Sequence, residues 1–253
     1  MDLGLKDMKA ILAGATKGIG RATLEVLAAE GCAIAFCARN ASEVEATTKA
    51  LSSKGAPVVG EAVDMTDAAA YRAWIGRAAE ALGGCDIFIP FASAGGGPPS
   101  DEAWRKNFDL DLMATYRGIE AALPSLRKSK AGSIVAIGTT AAVEDFYGPQ
   151  PYNALKAAVI NYSSAMAQQL AGSGIRVNTV SPGPTFVEGG AWDQIRTHMP
   201  GIYQETLAKM PIGRLCNAAE VANAIAFVAS PACRGMTGAH LVVDGGYTRR
   251  VQY

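Results

Sequence analysis

The sequence predicts an α/β fold: a seven-stranded parallel sheet with helices on both faces. Three observations lead there. Short apolar runs alternate with amphipathic stretches along the chain. The runs are apolar at consecutive positions rather than alternate ones, the mark of strands buried on both faces. Each run is followed by a stretch of helical spacing, as in a sheet built from strand–helix–strand units.

The elements follow in order. Lys9–Ala13 is a strand, and Gly18–Glu30 carries helical spacing through Ile19, Thr23, Val26 and Leu27. Ala33–Ala38 is a continuous apolar strand, and Ser42–Lys54 is a polar helix. Val58–Val63 precedes the helix Asp67–Leu82, and Asp86–Phe91 precedes one long helical region from about Asp101 to Lys128. Ser133–Ile137 leads to a helix near Pro151–Ala171. Ile175–Val180 is the sixth strand, Ala218–Ser230 the last helix and Ala239–Val243 the last strand. No solenoid-length repeat and no Pro/Ser linker divides the chain, so one domain over 1–253 is expected. Thr185–Arg214 stands outside the alternation and reads as a helical lid over a substrate site.

Composition narrows the function. Hydrophobic residues make up 49% and charged residues 18%, which excludes disorder and allows a large core. Lys+Arg and Asp+Glu are both 23, so charge gives no reason to expect nucleic acid or an anionic membrane as partner. No apolar run is long enough to cross a bilayer, and the N-terminus lacks a basic segment followed by an apolar one. The five cysteines, at 32, 37, 85, 216 and 233, form no C-x-x-C pair and no metal-ligand spacing. Reduced core thiols in a cytoplasmic protein are the expectation.

Gly14-Ala15-Thr16-Lys17-Gly18-Ile19-Gly20 joins the first strand to the first helix. Glycines there let the backbone approach a diphosphate, and the N–H groups at the helix start meet its charge. The spacing is G-x-x-x-G-x-G, and tight turns also use glycine for steric reasons alone. The second strand ends at Ala38-Arg39-Asn40, the position that faces the adenosine ribose in dinucleotide folds. With no acid in reach there, and with Lys17 close by, Arg39 favours the 2′-phosphate of NADP(H); the alternative is that both are ordinary solvated charges. Asp64, after the third strand, can accept from an adenine amino group or cap the next helix, a role that Thr66 or Asp67 fits better.

Tyr152 and Lys156 lie four apart on a helix, so phenol and ammonium share a face. A free tyrosine has a pKa near ~10, and a fixed cation beside it lowers that value. Thr139, at the end of the fifth strand, places a hydroxyl where it can hold a substrate oxygen beside Tyr152.

On these residues the chain resembles the classical short-chain dehydrogenases/reductases, close to the 3-oxoacyl-[acyl-carrier-protein] reductase-like members. The markers are Gly14…Gly18-Ile19-Gly20, Asp64, Ala92-Ser93-Ala94-Gly95, Tyr152…Lys156, Asn178-Thr179-Val180-Ser181-Pro182-Gly183 and Val242-Val243-Asp244-Gly245-Gly246, spread over essentially the whole chain. The resemblance implies a Rossmann-type doubly wound domain and an oxidoreductase interconverting a carbonyl and an alcohol. It makes Tyr152 the acid/base, Lys156 its pKa-lowering partner and ribose ligand, and Thr139 the carbonyl-orienting hydroxyl. It assigns cofactor contacts to Gly14, Thr16, Lys17, Gly18, Ile19, Gly20, Arg39, Asp64, Met65, Ala92, Ala94, Gly95, Pro182, Gly183 and Thr185. It also implies a homotetramer or homodimer built on the long helices, the final strand and the helix before it.

The pattern is broken in four places. Ala13 stands where a Thr is usual, Ala92-Ser93 replaces an Asn-Asn pair and Thr139 replaces Ser. Asp111 stands where the family carries an Asn whose backbone carbonyl holds a water of the proton relay. Since that role belongs to the backbone, Asp111 is expected to keep it, and its carboxylate to favour charged Lys156 if the two are close; the alternative is a buried helix residue paired with a polar neighbour. Phe146, Tyr147, Phe186, Trp192, His198, Met199 and Tyr203 suit an apolar or aromatic substrate or, equally, the buried face of a lid helix. Three functions compete: an NADPH-dependent carbonyl reductase, an NAD-preferring alcohol dehydrogenase and a catalytically weak cofactor-sensing protein.

Overall fold

A computed structural model describes residues 1–251, positions 54 and 56 excepted. The strands β1 (Lys9–Ala13), β2 (Ala33–Ala38), β3 (Val58–Ala62), β4 (Ile87–Pro90), β5 (Ser133–Ile137), β6 (Arg176–Pro182) and β9 (His240–Val243) form one parallel sheet in the order β3-β2-β1-β4-β5-β6-β9. A short ribbon pairs β7 (Thr185–Phe186) with β8 (Cys216–Asn217). The expected α/β fold is present, doubly wound and flanked by helices.

Side chains alternate across the sheet with the two-residue period of a strand. Ile11, Cys37 and Phe88 point to one face, where α3 (Ala68–Leu82), α5 (Ala114–Leu126) and α6 (Pro151–Leu170) cover them. Leu12, Phe36 and Ile89 point to the other, under α1 (Gly18–Ala29), α2 (Ala41–Ser52) and α9 (Ala218–Ala229). Each large side chain buried this way contributes about 1.5–3 kcal/mol. The expected end of α2 at Lys54 lies outside the described residues.

The helical region after β4 is not continuous. It runs as α4 (Asp101–Asn107), a π-helical turn over Phe108–Met113, and then α5. The wider turn carries Asp111 inward to complete burial. π-turns of this kind gather at functional sites. Two short helices, α7 (Ala191–His198) and α8 (Pro200–Ala208), fill the segment expected as a lid.

The strand order reverses between β1 and β4, which lie side by side and parallel: β2 and β3 are added on one side, β5, β6 and β9 on the other. Ligands of open α/β sheets bind outside the carboxyl ends of strands at such a reversal. The neighbouring pair β4 and β5 is in register only at Ile87–Ser133 and Phe88–Ile134. Beyond that point the strand ends part, leaving main-chain carbonyls free to meet a side chain.

Candidate active site

A cavity of about 690 Å³ opens at this reversal, lined by Gly14, Thr16, Lys17, Ala38, Arg39, Asn40, Glu43, Met65, Phe91, Ala92, Ser93 and Leu110. Gly14 sits at φ +84°, and a Cβ there would lie 3.3 Å from the Ala92 nitrogen. Gly20 tightens the turn further, because a Cβ on it would meet Ala15 Cα at 2.9 Å. α1 starts with no side-chain cap and no acid in its first turn, so its N–H groups stay available for an anion.

Of the residues expected to hold a cofactor, Gly14, Thr16, Lys17, Arg39, Met65 and Ala92 line this cavity. Gly18, Ile19 and Gly20 form the helix start behind it. Asp64 spends one oxygen on Thr66, accepting from its N–H at 2.9 Å and its hydroxyl at 2.8 Å. Those bonds first, and then Arg39, hold its carboxyl below the usual range. Asp67, not Asp64, caps α3. The Ala94 N–H donates to Asp111, and the Gly95 N–H donates to Ser93 Oγ. Pro182 ends β6, and Thr185 Oγ1 donates back to the Gly183 carbonyl at 2.9 Å.

One expectation fails at the adenosine end. Glu43, in the first turn of α2, reaches back to Lys17 at 2.8 Å and accepts from the Thr16 hydroxyl at 3.1 Å. An acid is therefore in reach, and Lys17 does not face the cavity as an unpaired cation. The missed signal lies in topology: β1 and β2 are neighbours, so the turns that follow them stand side by side. Asn40 fixes the rest by capping α2 through the N–H groups of Ser42 and Glu43.

Lys156 is buried at the parted ends of β4 and β5. Its ammonium donates to the Ile137 carbonyl at 3.0 Å and the Ala92 carbonyl at 3.5 Å, and lies 3.3 Å from Asp111 Oδ1. The other Asp111 oxygen accepts from the Ala94 N–H at 3.0 Å. Asp111's own backbone carbonyl accepts from the Thr115 hydroxyl at 2.9 Å. The expected closeness of the Asp111 carboxylate to Lys156 holds. Burial pulls Lys156 below the ordinary ammonium range, and Asp111 opposes that pull.

Tyr152 lies one turn earlier on α6, with Lys156 Nζ 6.0 Å from its ring centre. Thr139 stands close enough to lower its pKa, and the Thr139 hydroxyl accepts from the Ala141 N–H at 3.3 Å. The expected acidification is overridden: burial, then the Asp111 charge, push Tyr152 up to about 12, against the lowering effect of Thr139. Tyr152 does not itself line the cavity; Lys156 and the cavity-lining Ala92 link the two.

Aromatic rings gather where the loop before α6 meets α7 and α8. Phe146 packs edge-on to Tyr147 at 4.6 Å, to Trp192 at 6.1 Å and to Tyr247 at 6.1 Å, and Trp192 meets Tyr203 at 6.5 Å. The Tyr147 hydroxyl bonds Thr206 Oγ1 at 2.7 Å, tying that loop to α8. Phe186 instead stacks on the Arg196 guanidinium, and His198 is exposed. All five cysteines are free and buried, as expected. Among the described residues there is no metal-binding cluster, and no helix is long and apolar enough to cross a membrane.

Residues 14–248 match the family described as enoyl-(acyl carrier protein) reductase. The chain belongs to the classical short-chain dehydrogenases/reductases. As a member of this oxidoreductase family it is 35% identical over 250 residues to cis-4-hydroxycyclohexanecarboxylate dehydrogenase of Sinomonas cyclohexanicum, covering 94% of this chain and 96% of that protein. It is 32% identical over 241 residues to the 3-oxoacyl-[acyl-carrier-protein] reductase FabG of Escherichia coli (strain K12), covering 94% and 96%. The L-sorbose reductase of Gluconobacter frateurii, solved with NADPH and L-sorbose, superposes on this dehydrogenase/reductase with a TM-score of 0.90 at 27% identity, covering 99% of this chain and 100% of that one.

Proposed function

We propose that this short-chain dehydrogenase/reductase interconverts a ketone or aldehyde and the corresponding alcohol with NADP(H), Tyr152 moving the proton. The observation that carries the reading is the joining of Tyr152, Thr139, Lys156 and Asp111, through Ala92, to a glycine-lined cavity at the sheet reversal. A nicotinamide bound there would supply or accept the hydride. Gly14, the uncapped start of α1 and the exposed Arg39 fit the diphosphate and the adenosine phosphate.

The chain's own residues handle the proton and the oxygen. Protonated Tyr152 donates to a carbonyl oxygen that gains negative charge, and its phenolate takes the proton in the oxidative direction. Thr139, beside that phenol, supplies a second hydroxyl for the same oxygen. Lys156, held charged by Asp111, stabilises the phenolate left behind. The segment 185–214 acts as the substrate lid within a single domain, and its aromatic cluster with the 141–150 loop supports an apolar, ring-shaped or aromatic substrate. The cyclohexane-acting relative agrees with that class.

NAD(H) is the second reading for the cofactor, and Glu43 on Lys17 is the observation that favours it. A homotetramer, or a homodimer, is supported by Trp104, Phe108 and Tyr116, exposed apolar rings on the run from α4 to α5. The free thiols support a cytoplasmic setting. Cofactor consumption across a panel of cyclic, aromatic and acyclic carbonyls, measured with NADPH and with NADH, tests the assignment. Turnover of at least one carbonyl supports it; no turnover with either cofactor, despite tight cofactor binding, would leave the cofactor-sensing protein as the correct reading.

A further inference from the structure

The carboxylate of Glu43 is held at both oxygens by separate donors: Oε1 by the Lys17 ammonium at 2.8 Å and Oε2 by the Thr16 hydroxyl at 3.1 Å. A cation and a hydroxyl converging on two oxygens is also the chemistry that recognises a phosphate ester. Glu43, Thr16, Lys17 and Arg39 all line the one cavity, so the anion and these donors share a single wall. Glu43 is the anchored partner: its side chain is 31% exposed against 78% for Lys17. Its place in the first turn of α2 suits a negative charge.

Asp64 is held down first by Thr66 and only then by Arg39, so Arg39 keeps its charge at the cavity and Lys17 is the cation already offset before any ligand arrives.

We propose that Glu43 is the specificity-determining residue for the adenosine end, a latch that occupies Lys17 and Thr16 and so makes the site tolerant of both NADPH and NADH. This deepens the proposed function and rests on its reading of the cavity as a dinucleotide site. With a bare ribose, Glu43 stays on Lys17 and its free lone pairs can accept from the 2′-hydroxyl. With a 2′-phosphate, Glu43 must release both donors, and repulsion between the two anions offsets what the cations gain. One like charge about 4 Å away is worth about fivefold in affinity in open water, and about tenfold or more where the cavity wall partly excludes water.

Dissociation constants of NADPH and NADH, measured by titration calorimetry on the full chain and on Glu43→Gln and Glu43→Ala, test this, with 2′-AMP and 5′-AMP as fragment probes. The expected result is a wild-type preference for NADPH below about tenfold, rising by about tenfold or more in both variants. The gain should fall on NADPH and 2′-AMP while NADH and 5′-AMP stay level or weaken. Equal shifts for the phosphorylated and unphosphorylated ligands, or no shift, would overturn the latch while leaving the cofactor reading intact. Weaker NADPH binding in both variants would also overturn it, because Glu43 would then be aiming Lys17 at the phosphate. A wild-type chain that binds neither dinucleotide would overturn the cofactor reading and this inference together.

Discussion

At one end of the cleft Lys156 faces Asp111 at 3.3 Å, with the two side chains only 3% and 0% exposed. At the other, Lys17 faces Glu43 at 2.8 Å, with 78% and 31% exposed. The shorter contact is the weaker one. In water an ion pair is screened and its partners remain individually stable, whereas a sealed pair leaves either partner uncompensated once the other is lost. A lysine–carboxylate pair therefore does opposite work at the two ends: the buried pair fixes where a proton can sit, and the open pair can exchange one anion for another.

The largest effect expected on this contrast is at the buried end. Tyr152→Phe should lower turnover by roughly 10³-fold while dinucleotide affinity stays close to wild type, since the phenol holds the proton and does not line the cavity. Single-turnover rates beside binding titrations check it. Substantial turnover in this variant would place the acid elsewhere.

Asp111→Ala comes next. It strips the counter-charge from a buried ammonium and should destabilise the fold by about 3–5 kcal/mol, read from chemical denaturation. No loss of stability would mean that water reaches Lys156 and that the two ends are alike after all. Thr139→Val should cost about 10²–10³ in turnover, and Thr139→Ser should restore it, because only the hydroxyl meets the phenol.

Asp111→Asn is gentler and reads the electrostatics directly. The Asp111 charge raises Tyr152, so removing it should bring the phenol down and move the rising, acid-side limb of the oxidation profile, where the phenolate forms, to lower pH. Turnover at the optimum should change less than tenfold. A rise of orders of magnitude would show that Asp111 damages the site instead of serving it.

Much of this contrast was legible in the sequence at one end and hidden at the other. β1, β2 and β5 fall on the expected bounds because a strand buried on both faces writes itself as an unbroken apolar run. Tyr152 and Lys156 were found because a helix brings residues four apart onto one face, a purely local rule. The π-turn at Phe108–Met113 was not, since one widened turn leaves the helical spacing on either side intact. Asp111 was singled out by family pattern, but its distance from Lys156 could not be, because that depends on this turn. Glu43 was missed for a different reason: it meets Thr16 across 27 residues, through the pairing of β1 with β2 and the Asn40 cap, and no spacing along the chain records such a meeting.

The smallest effect sharpens the comparison most. Lys17→Gln removes the shortest ion pair at the cleft, and a distance-based ranking would have it destabilise the protein more than Asp111→Ala does. The lysine side chain is mostly in water in the folded state, and Glu43 keeps its bond from the Thr16 hydroxyl and its favourable place at the start of α2. Exposed pairs of this kind contribute about 0–1 kcal/mol, so the melting temperature should move by no more than about 2–4 °C for a chain of this size. Calorimetric melts at low and at 0.5 M salt, an ionic strength chosen on the order of that which screens beyond a few ångströms, separate the two views. A large loss of stability that vanishes in salt would mean that the open pair braces the turns after β1 and β2, and that its exchange for a phosphate would loosen the fold around the cavity.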